Sequence, residues 1–203
     1  MDTRSYSRSP SSMAYATYTT QALVCGTFNR NTADGSFLLF TEQAGMLYAD
    51  ARSVREERSR QRGALQDFSL VKVSLVKGKA GWKVGSILSL KNYYYEAVDQ
   101  SARGSVVSVF RLLRRFYKGE DANTQIFSYV RDSLDILATN IEHRTFQQMV
   151  VQVNILAELG YVDSALLPAS LRERKSNQIL SFTEHDERLI ESLFTNAVSV
   201  SHL

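Results

Sequence analysis

The hydrophobic period of this chain changes once, near Lys91, and that change limits the folds open to it. Before it, apolar and β-branched residues come in short runs broken by turn formers; after it, they recur every three or four residues. YTTQALVCGTF, residues 18–28, reads as a strand, and the turn-forming cluster from Asn29 to Gly35 reads as a loop. SFLLFT and MLYADA flank a Glu-Gln-Ala-Gly break and read as a hairpin in which Gly45 takes the positive φ of a tight turn. FSLVKVSLVK alternates, with Val71, Val73 and Leu75 on one face and Leu70, Lys72, Ser74 and Val76 on the other. Gly78 to Gly81 then turn the chain into WKVGSILSL, so five strands are complete by about residue 90. Between the third and fourth, Arg52 to Gly63 has no apolar period and is expected to be a solvated connection.

The second half reads as helices. Val106, Phe110, Leu113 and Tyr117 form an apolar row, with Arg111, Arg115 and Lys118 opposite, over residues of about 98–118, which Gly119 ends. Phe127, Val130, Leu134 and Leu137 mark a second helix; Phe146, Val150, Val153 and Ala157 mark a third, closed by Gly160. A last helix starts near Thr183, an N-cap residue, with Glu184, Asp186 and Glu187 complementing the helix dipole.

These elements predict an α+β chain of two domains. Residues 17–92 form a five-stranded β-barrel, for which the OB-fold is the common solution, and residues 93–203 form an all-α helical domain. Residues 1–16, rich in Ser, are expected to be a disordered tail.

Charge narrows the function. The formal net charge is only +3, but it is segregated: residues 46–91 hold ten Lys or Arg against four Asp or Glu, and residues 92–203 hold eleven against fourteen. Arg52, Arg55, Arg58, Arg60 and Arg62 crowd the connection, and Lys72, Lys77, Lys79 and Lys83 follow on the adjoining strands. A local cationic surface on a β platform suits a polyphosphate backbone, because each neutralised phosphate releases a condensed counterion. Among Phe28, Phe37, Phe40, Tyr48, Phe68, Trp82 and Tyr93 to Tyr95, most belong in the core; Trp82, beside Lys83 and a glycine turn, is the best candidate to stack on a base, against a reading as core.

Other classes find little support. There is no phosphate-binding loop, no G-x-G-x-x-G, no G-x-S-x-G and no H-E-x-x-H. Glu56 and Glu57, flanked by Arg55 and Arg58, read as solvated charge, and Asp34, Glu42, Asp50 and Asp67 form no recognisable metal-binding set for a nuclease. The lone Cys25 lies in an apolar run and reads as a buried small hydrophobe, and with His143, His185 and His202 it builds no zinc site, so no catalytic residue, metal or cofactor is expected. No stretch reads as a secretory signal or a membrane span, and an intracellular, cytoplasmic protein with no membrane partner is expected.

The segment ADARSVREERSRQRGALQDFSLVKVSLVKGKAGWKVGSI resembles the N-terminal domain of the RecO family of DNA recombination and repair mediators: a strand ending in a basic A-R-x-x-R segment, a short L-Q-x-F run, then a Lys- and Gly-containing hairpin. FLLFTEQAGMLYADA is similar to that family's second and third strands and VNILAELGYVD to its L-x-x-L-G-Y helix, so the resemblance covers residues of about 18–162. It implies an OB-fold before a helical domain, binding to single- and double-stranded DNA, strand annealing, and work with RecR to load recombinase onto DNA coated by single-strand-binding protein, in the nucleoid-associated cytoplasm. The DNA contacts it implies are the five arginines and four lysines named above. It also implies that the helical domain takes the tail of the single-strand-binding protein, for which Arg111, Arg114, Arg115 and Lys118 beside an apolar row are suited. Unlike many relatives, this chain has no cysteine after Cys25 and so no zinc module in the helical domain. The rival expectation is an adaptor whose basic barrel docks a protein or RNA.

Overall fold

The computed structural model describes residues 17–29, 32–54, 56, 59–139, 141–172 and 183–200; the expected tail, residues 1–16, lies outside them. Five strands, β1 (Thr17–Asn29), β2 (Gly35–Thr41), β3 (Gly45–Ala51), β4 (Ser69–Gly78) and β5 (Gly81–Asn92), close into a barrel in the order β1-β2-β3-β5-β4. All neighbours are antiparallel except β3 and β5, which run parallel and close the barrel with two residue pairs, Ala49 with Trp82 and Asp50 with Lys83. Register slips between Val24 and Gly26 on β1, and at two points of the β4–β5 ladder, supply the bends that so small a cylinder needs.

Alternation decides what fills the barrel. Ala22, Val24, Phe37, Leu39, Leu47, Ala49, Val71, Val73, Leu75 and Trp82 point inward and are buried. The connection between β3 and β4 departs from the sequence reading: residues Arg60–Ala64 form a short helix, α1, and Val54 and Leu65 on either side of it are 3% exposed and complete the barrel core. Two isolated apolar residues in a polar stretch show no period, yet they plug the barrel.

The outer faces of β1 and β2 are apolar as well. Leu23, Cys25, Leu38 and Phe40 belong to a second core made with the helices α2 (Tyr93–Glu96), α3 (Gln100–Phe116), α4 (Thr124–Leu137), α5 (Arg144–Glu158), α6 (Ala169–Arg172) and α7 (Glu184–Val200). Phe40 lies between Tyr117 and Phe127, with ring centroids at 4.6 and 5.4 Å, and Phe68 meets Phe110 edge-on at 5.1 Å. Burial drives the Cys25 thiol pKa up to about 12, so it is a core hydrophobe and not a nucleophile. Helix α5 is buried from Val150 to Leu156 on nearly every side, wider than the single stripe expected, because α3, α4 and α7 all pack on it. Its two buried amides are satisfied: Asn154 donates to Tyr129 Oη and to the Val150 carbonyl, and Gln152 to the Ser108 carbonyl.

One polar contact ties the barrel to the helices and another ties the helices to each other. At the β2–β3 turn Gly45 has φ +62°, and the Met46 N–H donates to the Gly119 carbonyl at 2.9 Å in the loop after α3. At the other end Asp99 caps α3 by accepting from the Ala102 N–H at 2.7 Å and receives Arg144, the first residue of α5, at 2.8 and 3.1 Å. Arg144 is 9% exposed and also donates to the Thr139 carbonyl.

A Cβ on Gly45 would stand 2.6 Å from the Asp121 carbonyl oxygen, in a backbone region that side chains avoid. Gly45→Ala is therefore expected to lower unfolding free energy by about 2–4 kcal/mol, measured by urea denaturation. The Ala102 N–H first, and then Arg144, hold the Asp99 carboxyl below the ordinary carboxylate range. A carboxyl lowered in the folded state stabilises the fold above its unfolded value, about pH 4, and that contribution is lost as pH falls through the lower folded value. Asp99→Asn, which still caps but cannot ionise, is expected to melt below wild type at pH 7, with the gap closing as the pH is taken below about 4.

Candidate nucleic-acid interface

Strands β1, β2, β3 and β5 present an outer surface at the margin of the area the helices cover, where Leu38 is still buried in the helical core. Residues opposite one another in register share a face, so Phe28, Ser36, Asp50 and Lys83 form one row across the four strands, and Gly26, Leu38 and Tyr48 form the next. Phe28 and Tyr48 are 45% and 59% exposed, with ring centroids 5.8 Å apart and planes at 55°. Gly26 leaves room for the Phe28 ring, since a Cβ there would lie 3.1 Å from it.

Beside these rows, the end of β3, the start of β5 and α1 enclose a groove of about 690 Å³. Arg52, Gln61, Ala80 and Lys83 line it, with Asp34 and Asp50. Asp34 accepts from the Ser53 N–H at 2.9 Å, and Gln61 donates to the Gly85 carbonyl at 2.9 Å, tying α1 to β5. The groove is thus mixed in charge, with Lys83 exposed and Lys79 exposed beside Ala80 in the β4–β5 turn.

The basic residues expected to act together are divided by the fold. Arg52 and Lys83 share the groove, Lys79 is at its edge, and Arg62 is exposed on α1 next to Gln61. Lys77 is turned away: its ammonium pairs with Glu120 at 2.8 Å and lies 4.8 Å over the Trp82 ring. Glu120, in turn, is held below the ordinary carboxylate range, first by the hydrogen bond from Lys77. Lys72 is on the outer face of β4 opposite Gln21 and Leu88, four residues, roughly 13 Å, along the strand from Val76, the partner of Lys83. Arg60 opens α1; Arg55 and Arg58 lie outside the described residues. Trp82, the stacking candidate whose alternative is the core, is only 7% exposed, its ring packed in the barrel core with an edge contact to Tyr18 at 5.4 Å. Phe28 and Tyr48 are exposed on this face, while Tyr18 at 43% and Tyr95 at 70% are exposed elsewhere on β1 and α2 and Tyr93 is buried. Only register tells Phe28 and Tyr48 from the buried rings of the strands.

A second concavity, of about 760 Å³, lies in the helical part. Phe116, Tyr161, Leu166 and Leu193 give it an apolar lining, and Arg115, Lys118 and Asp163 stand at its polar margin. Tyr161 and Leu166 are 48% and 54% exposed. Of the four cations expected to meet a partner, Arg115 and Lys118 line this groove and Arg111 and Arg114 do not. Arg115 crosses the Phe116 ring and donates to the Val198 carbonyl at 3.2 Å, while Lys118 donates to the Arg114 carbonyl at 2.9 Å.

Among the described residues no cluster of three His, Cys, Asp or Glu side chains is placed to hold a metal ion, and no helix is long and apolar enough to cross a membrane. Compared with known proteins, the chain matches no protein-family model and no curated protein.

Proposed function

We propose that this chain is a non-enzymatic DNA-binding mediator of recombinational repair, which binds and anneals single strands and helps load recombinase onto DNA coated by single-strand-binding protein. The observation that carries this reading is the meeting of Arg52 and Lys83 in one groove, with Lys79 at its edge, on a closed five-stranded barrel. The strand order and the parallel β3–β5 closure support reading the barrel as an OB-fold, whose exposed strands and β1–β2 and β4–β5 loops bind oligonucleotides. The RecO-like sequence pattern supports the narrower role, with RecR and the single-strand-binding protein as partners in the cytoplasm.

The groove between Phe116, Tyr161 and Leu193 favours a peptide partner for the helical part. An apolar floor edged by Arg115 and Lys118 fits a short apolar segment ending in a carboxylate, the chemistry of the single-strand-binding protein's tail.

Each phosphate contact contributes about 0.7 to the slope of log affinity against log salt on single strands. Replacing Arg52, Lys79 and Lys83 together by Ala is expected to reduce that slope by about two units. Lys77→Ala, which removes a cation already held by Glu120, should leave the slope within error of wild type. Titration of a labelled oligonucleotide by fluorescence anisotropy at several salt concentrations decides it, and an unchanged slope in the folded triple variant would put the adaptor reading ahead. For the helical groove, a labelled peptide ending Asp-Ile-Pro-Phe is expected to bind at low salt and to lose about tenfold in affinity with Lys118→Glu. Absence of binding to the wild-type chain would remove the tail from the partners.

A further inference from the structure

We propose that Phe28 and Tyr48 form a stacking platform for the unpaired bases of single-stranded DNA, with Lys83 and Arg52 beside them taking its phosphates. This rests on the reading of the barrel as a DNA-binding surface and adds to it a preference for one strand over two.

Exposed aromatic rings at the surface of a soluble domain are costly to hydrate, and these two are not scattered. They lie diagonally across β2 in adjacent rows of one sheet face, 5.8 Å apart. The 55° angle between their planes makes a shallow corner, so each ring offers its face to a separate base. Phe28 rests over Gly26, and the Tyr48 ring leans on Phe28 from a β3 whose alternate residues, Leu47 and Ala49, are fixed in the barrel core. A side chain held in place loses little freedom when a base arrives, which favours binding.

Charge complementarity selects the ligand. Lys83 is in the same row as Phe28, across Ser36 and Asp50, and Arg52 follows β3 into the adjoining groove, so these two cations lie on the β5 side of the rings. A strand whose bases lie on the rings has its phosphates directed to that side. Duplex DNA keeps its bases stacked inside and reaches only the cations. An apolar peptide would find rings but no reason for the flanking lysine and arginine.

The test uses the full chain and three probes of equal length: a labelled oligothymidylate, the same strand with abasic sites throughout, and a duplex, measured by anisotropy. Phe28→Ala combined with Tyr48→Ala is expected to weaken oligothymidylate binding by about tenfold or more, with an unchanged salt slope and unchanged duplex affinity. The wild-type chain should bind the abasic strand as weakly as the double variant binds oligothymidylate. Tyr48→Phe, which keeps the ring, should retain wild-type affinity. Both rings are substantially exposed, and a thermal melt of the double variant should match wild type; a variant that unfolds is replaced by Tyr48→Ser alone, which must show the same strand-selective loss. Equal losses on single strand and duplex, or no loss on oligothymidylate, overturn the platform while leaving the cationic surface standing. Failure of the wild-type chain to bind any of the three probes overturns the DNA-binding reading and the platform with it.

Discussion

Strands β1 and β2 are apolar on both faces, and the rest of the molecule follows from that. Their inward residues fill the barrel, and Leu23, Cys25, Leu38 and Phe40 on the other side must find a second apolar partner. A typical antiparallel sheet leaves one face to water; here α3 and α4 cover it, and Phe40 packs against Tyr117 and Phe127. The barrel is therefore not a bead on a string. Its sheet is the shared wall of two cores, and helices that leave it would expose that wall.

The same covering decides where a ligand has access. The helices occupy the outer sheet near Phe40 and Met46, and what they leave open is the far part, with Phe28, Tyr48 and Lys83. Positive charge in this region is correspondingly split in purpose. Lys91 pairs with Asp135 and lies 5.0 Å over the Tyr93 ring, and Lys77 joins the β4 hairpin to Glu120, so both cations serve the barrel–helix junction. A count of basic residues overstates the surface offered to phosphate.

Periodicity made the elements legible: the alternation of Val71, Val73 and Leu75 and the row Val106, Phe110, Leu113 each mark the face that is buried. What it could not carry was anything set by a single residue or by pairing between distant strands. Val54 and Leu65 have no periodic neighbours, so their role as a plug, with α1 between them, was hidden. Trp82 sits next to Lys83 in a turn-proximal run that reads equally as core or platform, and only its pairing with Ala49 settles it as core. Phe28 and Tyr48 are twenty residues apart in a chain rich in buried aromatics, and they meet only because β2 spaces β1 from β3 by one strand.

The parallel seam between β3 and β5 consists of two pairs, Ala49 with Trp82 and Asp50 with Lys83. Because side chains alternate along a strand, a slip of one residue there would turn Trp82 out to water and drive Lys83 into the apolar interior. The indole is thus a gauge of alignment: the volume it fills inside the barrel and the ammonium it leaves outside are two readings of one register. On its β4 side a ladder of nine pairs holds β5 in place; on the β3 side two pairs suffice, since the energetic penalty for burying a lysine stands guard over the position of the neighbouring cation.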